Sequence, residues 1–392
     1  MGKDGLTVLS LFDGMSCGAI ALREAGIPVK QYFASEIDKQ AIRQTQHNFP
    51  DTIQLGSVTE VKASELPPID LLIGGSPCQG FSFAGKQLNF NDPRSRLFFE
   101  YVRILREIQT SNPNVKFLLE NVRMRSEYEN VISKELGQFP VMINSALVSA
   151  QNRARLYWTN IEVEQINNLF GHTIHTNIPQ PTDRCIYLRD ILDDQVDIRY
   201  FLSEKEIDRL IKVREYGRKE MCTFHETGLL DLDCEYYGGI YPDGQHPGAC
   251  KSISEYRTRN IYNSQIQLPS DVKRVPLSAI QNNHLIEVLC SKPNNTYVIS
   301  GAIVSPQFGG GFRPIMNGKS PCLLATSSNY AACLIINGDD MVLRKLTPTE
   351  CCRLQTIPEW YEWICSETQT YRMLGNGWTV EVIRHIFNYL KI

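Results

Sequence analysis

Residues 70–82, DLLIGGSPCQGFS, carry the cysteine whose setting most invites chemistry. An apolar run, Ile69, Leu71, Leu72 and Ile73, reads as a strand. Gly74 and Gly75 halt it, because glycine tolerates the backbone angles of a sharp turn. Pro77 and Cys78 follow at once. A thiol on a Gly/Pro-rich loop at a strand's end is displayed as a nucleophile is, within reach of a ligand and stiffened by proline. A small cysteine filling a loop gap would have the same surroundings, since unpaired Cys is among the most buried residue types. The rest of the chain has to separate the two readings. Two more groups of reactive types stand downstream. VKFLLENV ends on Glu120 and Asn121, and QNRARLYW carries Arg153 and Arg155, whose alternation puts both guanidinium groups on one face of an extended stretch.

Upstream, LTVLSLF has the pattern of a buried strand and runs into DGMSCG and the helix-like AIALREAG. Strand, tight Gly-rich turn and helix together present backbone amides and a helix N-terminus to a nucleotide-like ligand. The next strand, VKQYFASE, ends on Glu36, about twenty residues past the turn, where a carboxylate can accept both hydroxyls of a ribose. Capping a helix that starts near Asp38 is the other use of that side chain. The turn has no GxGxxG spacing, only Gly14 and Gly18, and no lysine to hold phosphate. A cofactor with a ribose and no pyrophosphate, such as S-adenosylmethionine, fits this better than a dinucleotide.

The elements that must position these groups alternate. IDLLIGG and VKFLLENV read as strands, and RLFFEYVRILREIQ shows apolar residues at helical spacing (Leu97, Phe98, Tyr101, Val102, Leu105). Such alternation predicts an α/β domain with a parallel sheet covered on both faces, binding ligands at the carboxyl ends of its strands. Phe12, Asp13, Glu36, Cys78, Glu120 and Asn121 all fall at such ends. Near residue 175 the alternation stops, and Pro, Gly, Asn and Ser become frequent. This predicts a second, smaller, loop-rich domain with short strands over 176–343, including a charged solvated helix over 203–219. Its QFGGGFRP segment lacks a following helix signal and reads as a surface loop. At LTPTECCRLQTIP, Pro348 and Glu350 mark a helix start, and GNGWTVEVIRHIFNYLKI reads as a turn and a closing amphipathic helix. The expected organisation is 1–175 as a first domain, 176–343 as a second, and 344–392 packing back on the first.

Across 392 residues, 42% hydrophobic and 21% charged with a net charge of -3, the composition describes an ordinary water-soluble chain. Any basic surface for nucleic acid must therefore be local. No apolar run approaches bilayer length and the N-terminus is not a signal peptide. Twelve cysteines spread over this length form no disulfide framework, which points to a reducing cytoplasm. Cys222, His225, Cys234, His246 and Cys250 include close pairs suited to metal, but the intervening spacings match no zinc module, and no metal is expected.

The ordered motifs FDGMSCG (12–18), SEID (35–38), GGSPCQGFS (74–82), ENV (120–122), QNRARLYW (151–158), RKLTPTECCRLQ (344–355) and GNGWTV resemble the DNA cytosine-5 methyltransferase family. The opening VLSLFDG and the closing GNGWTVEVIRHIF look especially like its vertebrate de novo branch and the bacterial and phage relatives. The resemblance covers most of the chain outside 175–343. It implies a Rossmann-like S-adenosylmethionine-binding sheet with a target-recognition domain. The cofactor site would draw on Phe12, Asp13, Gly14, Gly18, Glu36, Ile37, Ser57, Pro77 and Asn376, and the catalytic set would be Cys78, Glu120, Arg153 and Arg155. Two positions depart from the family pattern. Ser57 stands where an acidic residue usually contacts the adenine, and Trp378 stands where a small or β-branched residue is commoner.

The implied reaction activates a poor nucleophile, carbon 5 of cytosine, by thiolate attack at carbon 6. A protonated Glu120 would donate to ring nitrogen 3 while accepting from the exocyclic amine; a surface ion pair is its plain alternative. Arg155 would hold the ring's carbonyl oxygen and Arg153 would orient the loop or backbone, unless one of them simply binds phosphate. A base within a duplex must first be flipped out. The loop after Cys78, with Lys86, Arg94 and Arg96, is suited to close over it, and the second domain to read the major groove. A tRNA cytosine methyltransferase with the same catalytic set is the runner-up. That branch carries Cys-Phe-Thr, whereas Cys222-Thr223-Phe224 has another order and the second domain is long. A regulator that only binds DNA would be expected to have lost Cys78, Glu120 or Arg155. The family context suggests a monomer acting on double-stranded DNA in the cytoplasm of a bacterium or of a phage's host, with or without a separate restriction endonuclease.

Overall fold

The computed structural model describes residues 5–77, 97–168, 171–203, 206, 261–262, 270, 272, 275–276, 296–304, 311–315, 318–325, 330–337 and 340–391. Cys78, the following loop, the cysteine and histidine group at 222–250, nearly all of the helix expected over 203–219 and part of QFGGGFRP lie outside the described residues. The chain divides into two compact units. One comprises Met1–Asn144, Ala154–Pro181 and Ile357–Ile392, the other Ser145–Arg153 and Thr182–Thr356.

The first unit is built on a seven-stranded sheet in the order β3-β2-β1-β4-β5-β7-β6. Its strands are β1 (Leu6–Leu11), β2 (Val29–Ser35), β3 (Ile53–Gln54), β4 (Leu71–Gly74), β5 (Lys116–Val122), β6 (Val141–Asn144) and β7 (Ala154–Thr159). Helices α1 (Cys17–Glu24), α2 (Lys39–Asn48), α3 (Leu97–Ser111) and α4 (Ser126–Leu136) are interleaved with them. Every residue of β1 is buried, as a strand covered on both faces must be. The core at the centre joins Leu9, Leu72, Phe117 and Leu119 of the sheet to Phe98, Tyr101, Ile104 and Ile108 of α3. The spacing of that α3 set is the helical period seen in the sequence.

The expectation of a parallel sheet holds for β1 to β5 and fails at one strand. β7 runs antiparallel to β5, with Glu120 opposite Tyr157 and Val122 opposite Arg155, and antiparallel to β6. The physical reason is the connection: residues 145–153 link β6 to β7 without a crossover helix, so β7 returns beside β6 as the second arm of a hairpin. A two-stranded ribbon, β8 (Val163–Asn168) and β9 (Gly171–Thr176), follows.

The second unit has β10 (Ile261–Tyr262), β11 (Val275–Pro276), β12 (Thr296–Val304), β13 (Gly311–Ile315), β14 (Tyr330–Asn337) and β15 (Asp340–Lys345) in one antiparallel sheet. β12, at 9 residues, is longer than the short strands expected. Helix α5 (Pro348–Leu354) belongs to this unit, so the return to the first unit begins at Ile357, beyond the expected 343/344 junction. The tie is visible at Glu350. The helix start expected from Pro348 and Glu350 is present, and LTPTE closes it with a capping box that has Thr347 as N-cap. The buried Glu350 carboxylate also takes both guanidinium nitrogens of Arg344, at 2.7 and 2.8 Å, and the Asp193 N–H at 2.9 Å. Those partners hold residues 344–350 to the second unit.

Helices α6 (Glu367–Asn376) and α7 (Val380–Phe387) complete the first unit, α7 packing on α1. Gln44 of α2 bonds the Glu362 carbonyl and the Ile364 N–H, and the Tyr361 hydroxyl donates to the Met15 carbonyl at 3.0 Å.

Candidate active site

The strand order reverses between β1 and β4, so their carboxyl ends flank the sheet's switch point, where open α/β sheets bind ligands. The chain leaves β1 through a turn that holds left-handed backbone at Phe12 (φ 58°), Gly14 (φ 59°) and Ser16 (φ 62°). For Phe12 and Ser16 that conformation is costly and persists only where neighbours over-determine it. They do so here. The Asp13 N–H donates to the Ser35 carbonyl, Thr45 donates to the Gly14 carbonyl, and the Ser16 and Thr45 hydroxyls are 2.9 Å apart.

Glu36, just past β2, closes the turn from the other side. Its Oε2 accepts the Gly14 N–H at 2.8 Å, and its Oε1 accepts the N–H groups of Ile37 and Asp38 at 2.7 and 2.9 Å. A carboxylate has about four lone-pair directions, so it retains acceptor capacity for a ligand hydroxyl. The helix cap falls to Asp38, whose Oδ1 accepts from Gln40 N–H. Ile37 is 74% exposed, an apolar side chain beside that carboxylate and free to cover a flat ring. Ser57 follows β3 and holds Thr59 through its hydroxyl at 2.8 Å, and Asn376 is the exposed last residue of α6. Gly18 has a packing role: a Cβ there would lie 2.2 Å from Ile73 Cδ1, so any larger residue would have to displace the end of that buried side chain.

Asp13 is the most perturbed group of the turn. Its Oδ1 accepts the Tyr32 hydroxyl at 2.8 Å and its Oδ2 accepts the Ser16 hydroxyl. Burial outweighs those hydrogen bonds and, with repulsion from Glu36, lifts the carboxyl from 3.8 to about 6. The folded state thus holds this proton more tightly than the unfolded chain. The associated stability is fully present below about pH 4 and is lost as pH rises through about 6. Asp13→Asn lacks this titration. Between pH 4 and 7.5 its stability should therefore gain on the parent's by about 2–3 kcal/mol, read from paired urea-unfolding series. Parallel pH curves for the two proteins would refute the assignment. Tyr32, Ser16 and Thr45 are members of this site that motif spacing did not reveal; only Tyr32, inward-facing in β2, has a signal in the strand alternation.

On the other side of the switch point, the loop after β4 is fixed at its root. Asn121 donates to Ser76 Oγ at 3.1 Å, and both residues are buried. This anchors the segment carrying Pro77 and leading into Cys78. Glu120, Asn121's neighbour on β5, points to the opposite face, as strand pleating requires. Register places Arg155 diagonal to Glu120 across β5 and β7, and its Nε lies 3.0 Å from Glu120 Oε1. Trp378 Nε1 donates to Glu120 Oε2 at 3.2 Å. The Glu120 and Arg155 side chains are 11% and 14% exposed, so the pair is largely shielded from water without being sealed from it.

The two arginines have different partners: the guanidinium of Arg153, which precedes β7, reaches Cys322 Sγ and the Leu323 carbonyl at 3.2 Å. Among the described cysteines, burial pushes the Cys333 thiol up to about 12 and raises that of Cys351 well above its ordinary value, so neither is suited to nucleophilic work. No group of metal-ligating side chains occurs among the described residues.

A mostly parallel sheet with its seventh strand inserted in reverse, and a carboxylate acceptor beside the switch point, fits the Rossmann-like S-adenosylmethionine-dependent methyltransferase class. The strained turn, the spare acceptor capacity of Glu36 and the exposed Ile37 suit that cofactor. The family model described as C-5 cytosine-specific DNA methylase matches residues 6–391, and the chain belongs to that family. It transfers a methyl group from S-adenosylmethionine to carbon 5 of cytosine in DNA. It is 27% identical to "Orphan methyltransferase M.SPRI" of Bacillus phage SPR, with 100% of this chain and 98% of that protein covered. It is 29% identical to "Type II methyltransferase M.BanI" of Aneurinibacillus aneurinilyticus, covering 91% and 88%. The fold is similar to that of Entamoeba histolytica methyltransferase EhMeth, with a TM-score of 0.53 at 15% identity over 99% and 98% of the two chains.

Proposed function

We propose that the chain methylates a flipped-out cytosine within one short duplex sequence, with Cys78 as nucleophile and Glu120 and Arg155 acting on the ring. The observation that carries this reading is the Glu120–Arg155 pair at 3.0 Å, at the strand ends beside the anchored root of the Cys78 loop. Bound S-adenosylmethionine supplies an electrophilic methyl group. The chain's own residues do the rest. Glu36 would accept a ribose hydroxyl; Phe12, Ile37 and Ser57 would face the adenine; Asp13, Gly14, Gly18, Pro77 and Asn376 would complete or support the cradle. The Cys78 thiolate adds to carbon 6 and makes carbon 5 nucleophilic; once carbon 5 carries the methyl group it sheds its hydrogen as a proton to water, and the thiolate leaves carbon 6. Glu120 delivers a proton to ring nitrogen 3 and accepts from the exocyclic amine, while Arg155 steadies the carbonyl oxygen as charge develops. Arg153, bonded to Cys322 and Leu323, orients its own loop.

The second unit serves target recognition, and the chain acts as a monomer in the cytoplasm. Among the described residues no helix is long and apolar enough to cross a membrane. Kinship with both phage orphan and type II proteins suits either phage protection or the modifying half of a restriction-modification pair, whose endonuclease would be a separate chain. Bisulfite sequencing of plasmid DNA from an expressing strain tests the reading. Protected cytosines confined to one recurring motif are expected. Tritiated-cofactor label found only in tRNA, with plasmid DNA unprotected, would overturn it.

A further inference from the structure

The residue at the departure from the family pattern, Trp378, sits in the reaction centre. Its indole nitrogen lies 3.2 Å from Glu120 Oε2, joining positions 258 residues apart in the chain. Glu120 therefore has a donor on each oxygen, Arg155 Nε on Oε1 and Trp378 Nε1 on Oε2. The space for this contact is made by Gly75, where a Cβ would lie 3.0 Å from Trp378 Nε1 and 3.1 Å from Glu120 Oε2. An alanine there would press on both partners at once. The terminal torsion of a glutamate is soft, so a carboxyl held at one oxygen still pivots. Indole N–H is only a donor and needs an oxygen lone pair; guanidinium makes the same demand on the other oxygen. With both demands met, a proton on either oxygen must point along the remaining lone-pair direction.

We infer that Trp378 is a positioning residue, holding the Glu120 carboxyl in the one orientation from which it can act on the flipped base. This rests on the reading of Glu120 as the group that meets ring nitrogen 3. Trp378 acts through Glu120 and not by forming a wall of the cofactor site.

The two roles separate in a reaction that needs no methyl donor. Thiolate adds to carbon 6, carbon 5 takes a solvent proton and sheds its own, and the thiolate leaves, so the ring hydrogen exchanges with water. Benzothienylalanine at 378 keeps the bicyclic ring and puts sulfur in place of the N–H; Trp378→Phe removes the donor with a smaller ring. With the benzothienyl variant, both exchange on duplex DNA without cofactor and kcat for methyl transfer should fall about tenfold. The KM for S-adenosylmethionine should move by less than about twofold. The Phe variant should show the same loss, with its melting temperature recorded beside it. Unchanged exchange with a raised cofactor KM, or no change in either rate, would overturn the inference. Glu120→Gln, assayed alongside, keeps the two readings apart. If it retains the parent's exchange rate, the role of Glu120 itself falls; if it loses exchange and the benzothienyl variant does not, only the role of Trp378 falls.

Discussion

Cys78→Ser should lose methyl transfer by at least about 10³-fold while binding S-adenosylmethionine as the parent does. Serine keeps the size and the proton but not the acidity: at neutral pH a hydroxyl is almost never ionised, whereas a thiol with pKa near 8.5 supplies usable thiolate. Carbon 5 has no nucleophilic character until something adds at carbon 6, so no other group in the site substitutes for this step. The loop root is secured by Asn121 and Ser76, and serine on that loop need not disturb it. Initial rates with tritiated cofactor on duplex DNA, with cofactor affinity measured separately by calorimetry, check the result. Transfer at the parent's rate would remove Cys78 from the mechanism.

Glu120→Gln should lower kcat by about 10²–10⁴-fold, the range by which a positioned proton donor accelerates a reaction. The amide cannot deliver a proton to ring nitrogen 3. It also meets its neighbours badly. Arg155 and Trp378 both bring donors, and glutamine offers one acceptor oxygen and one NH2, so one donor faces another. The side chain should swing away from one partner. Single-turnover methylation under saturating cofactor reads this loss directly; a variant with parental kcat would mark the Glu120–Arg155 pair as a structural ion pair.

Much of the site's layout was legible beforehand because it depends on local rules. Turn residues at 12–16 and 75–77 lie just past β1 and β4, and strand pleating separates Glu120 from Asn121. Pro348 and Glu350 placed the start of α5 correctly, because a helix start is written within a few positions. One reading went astray at a connection. β7 runs antiparallel since its link to β6 is short, a fact of chain path that hydrophobic pattern does not encode.

Residue types and order alone determined the class of fold and the family, since periodicity and motif order are properties of neighbouring residues. What only the tertiary structure decided is which atoms meet. Glu36 binds the Gly14 amide, Asp13 is buried against Tyr32, and Trp378 reaches Glu120 from the far end of the chain. Each of these contacts joins residues distant in sequence, and at 3 Å range a hydrogen bond depends on how whole elements pack, which no local pattern specifies.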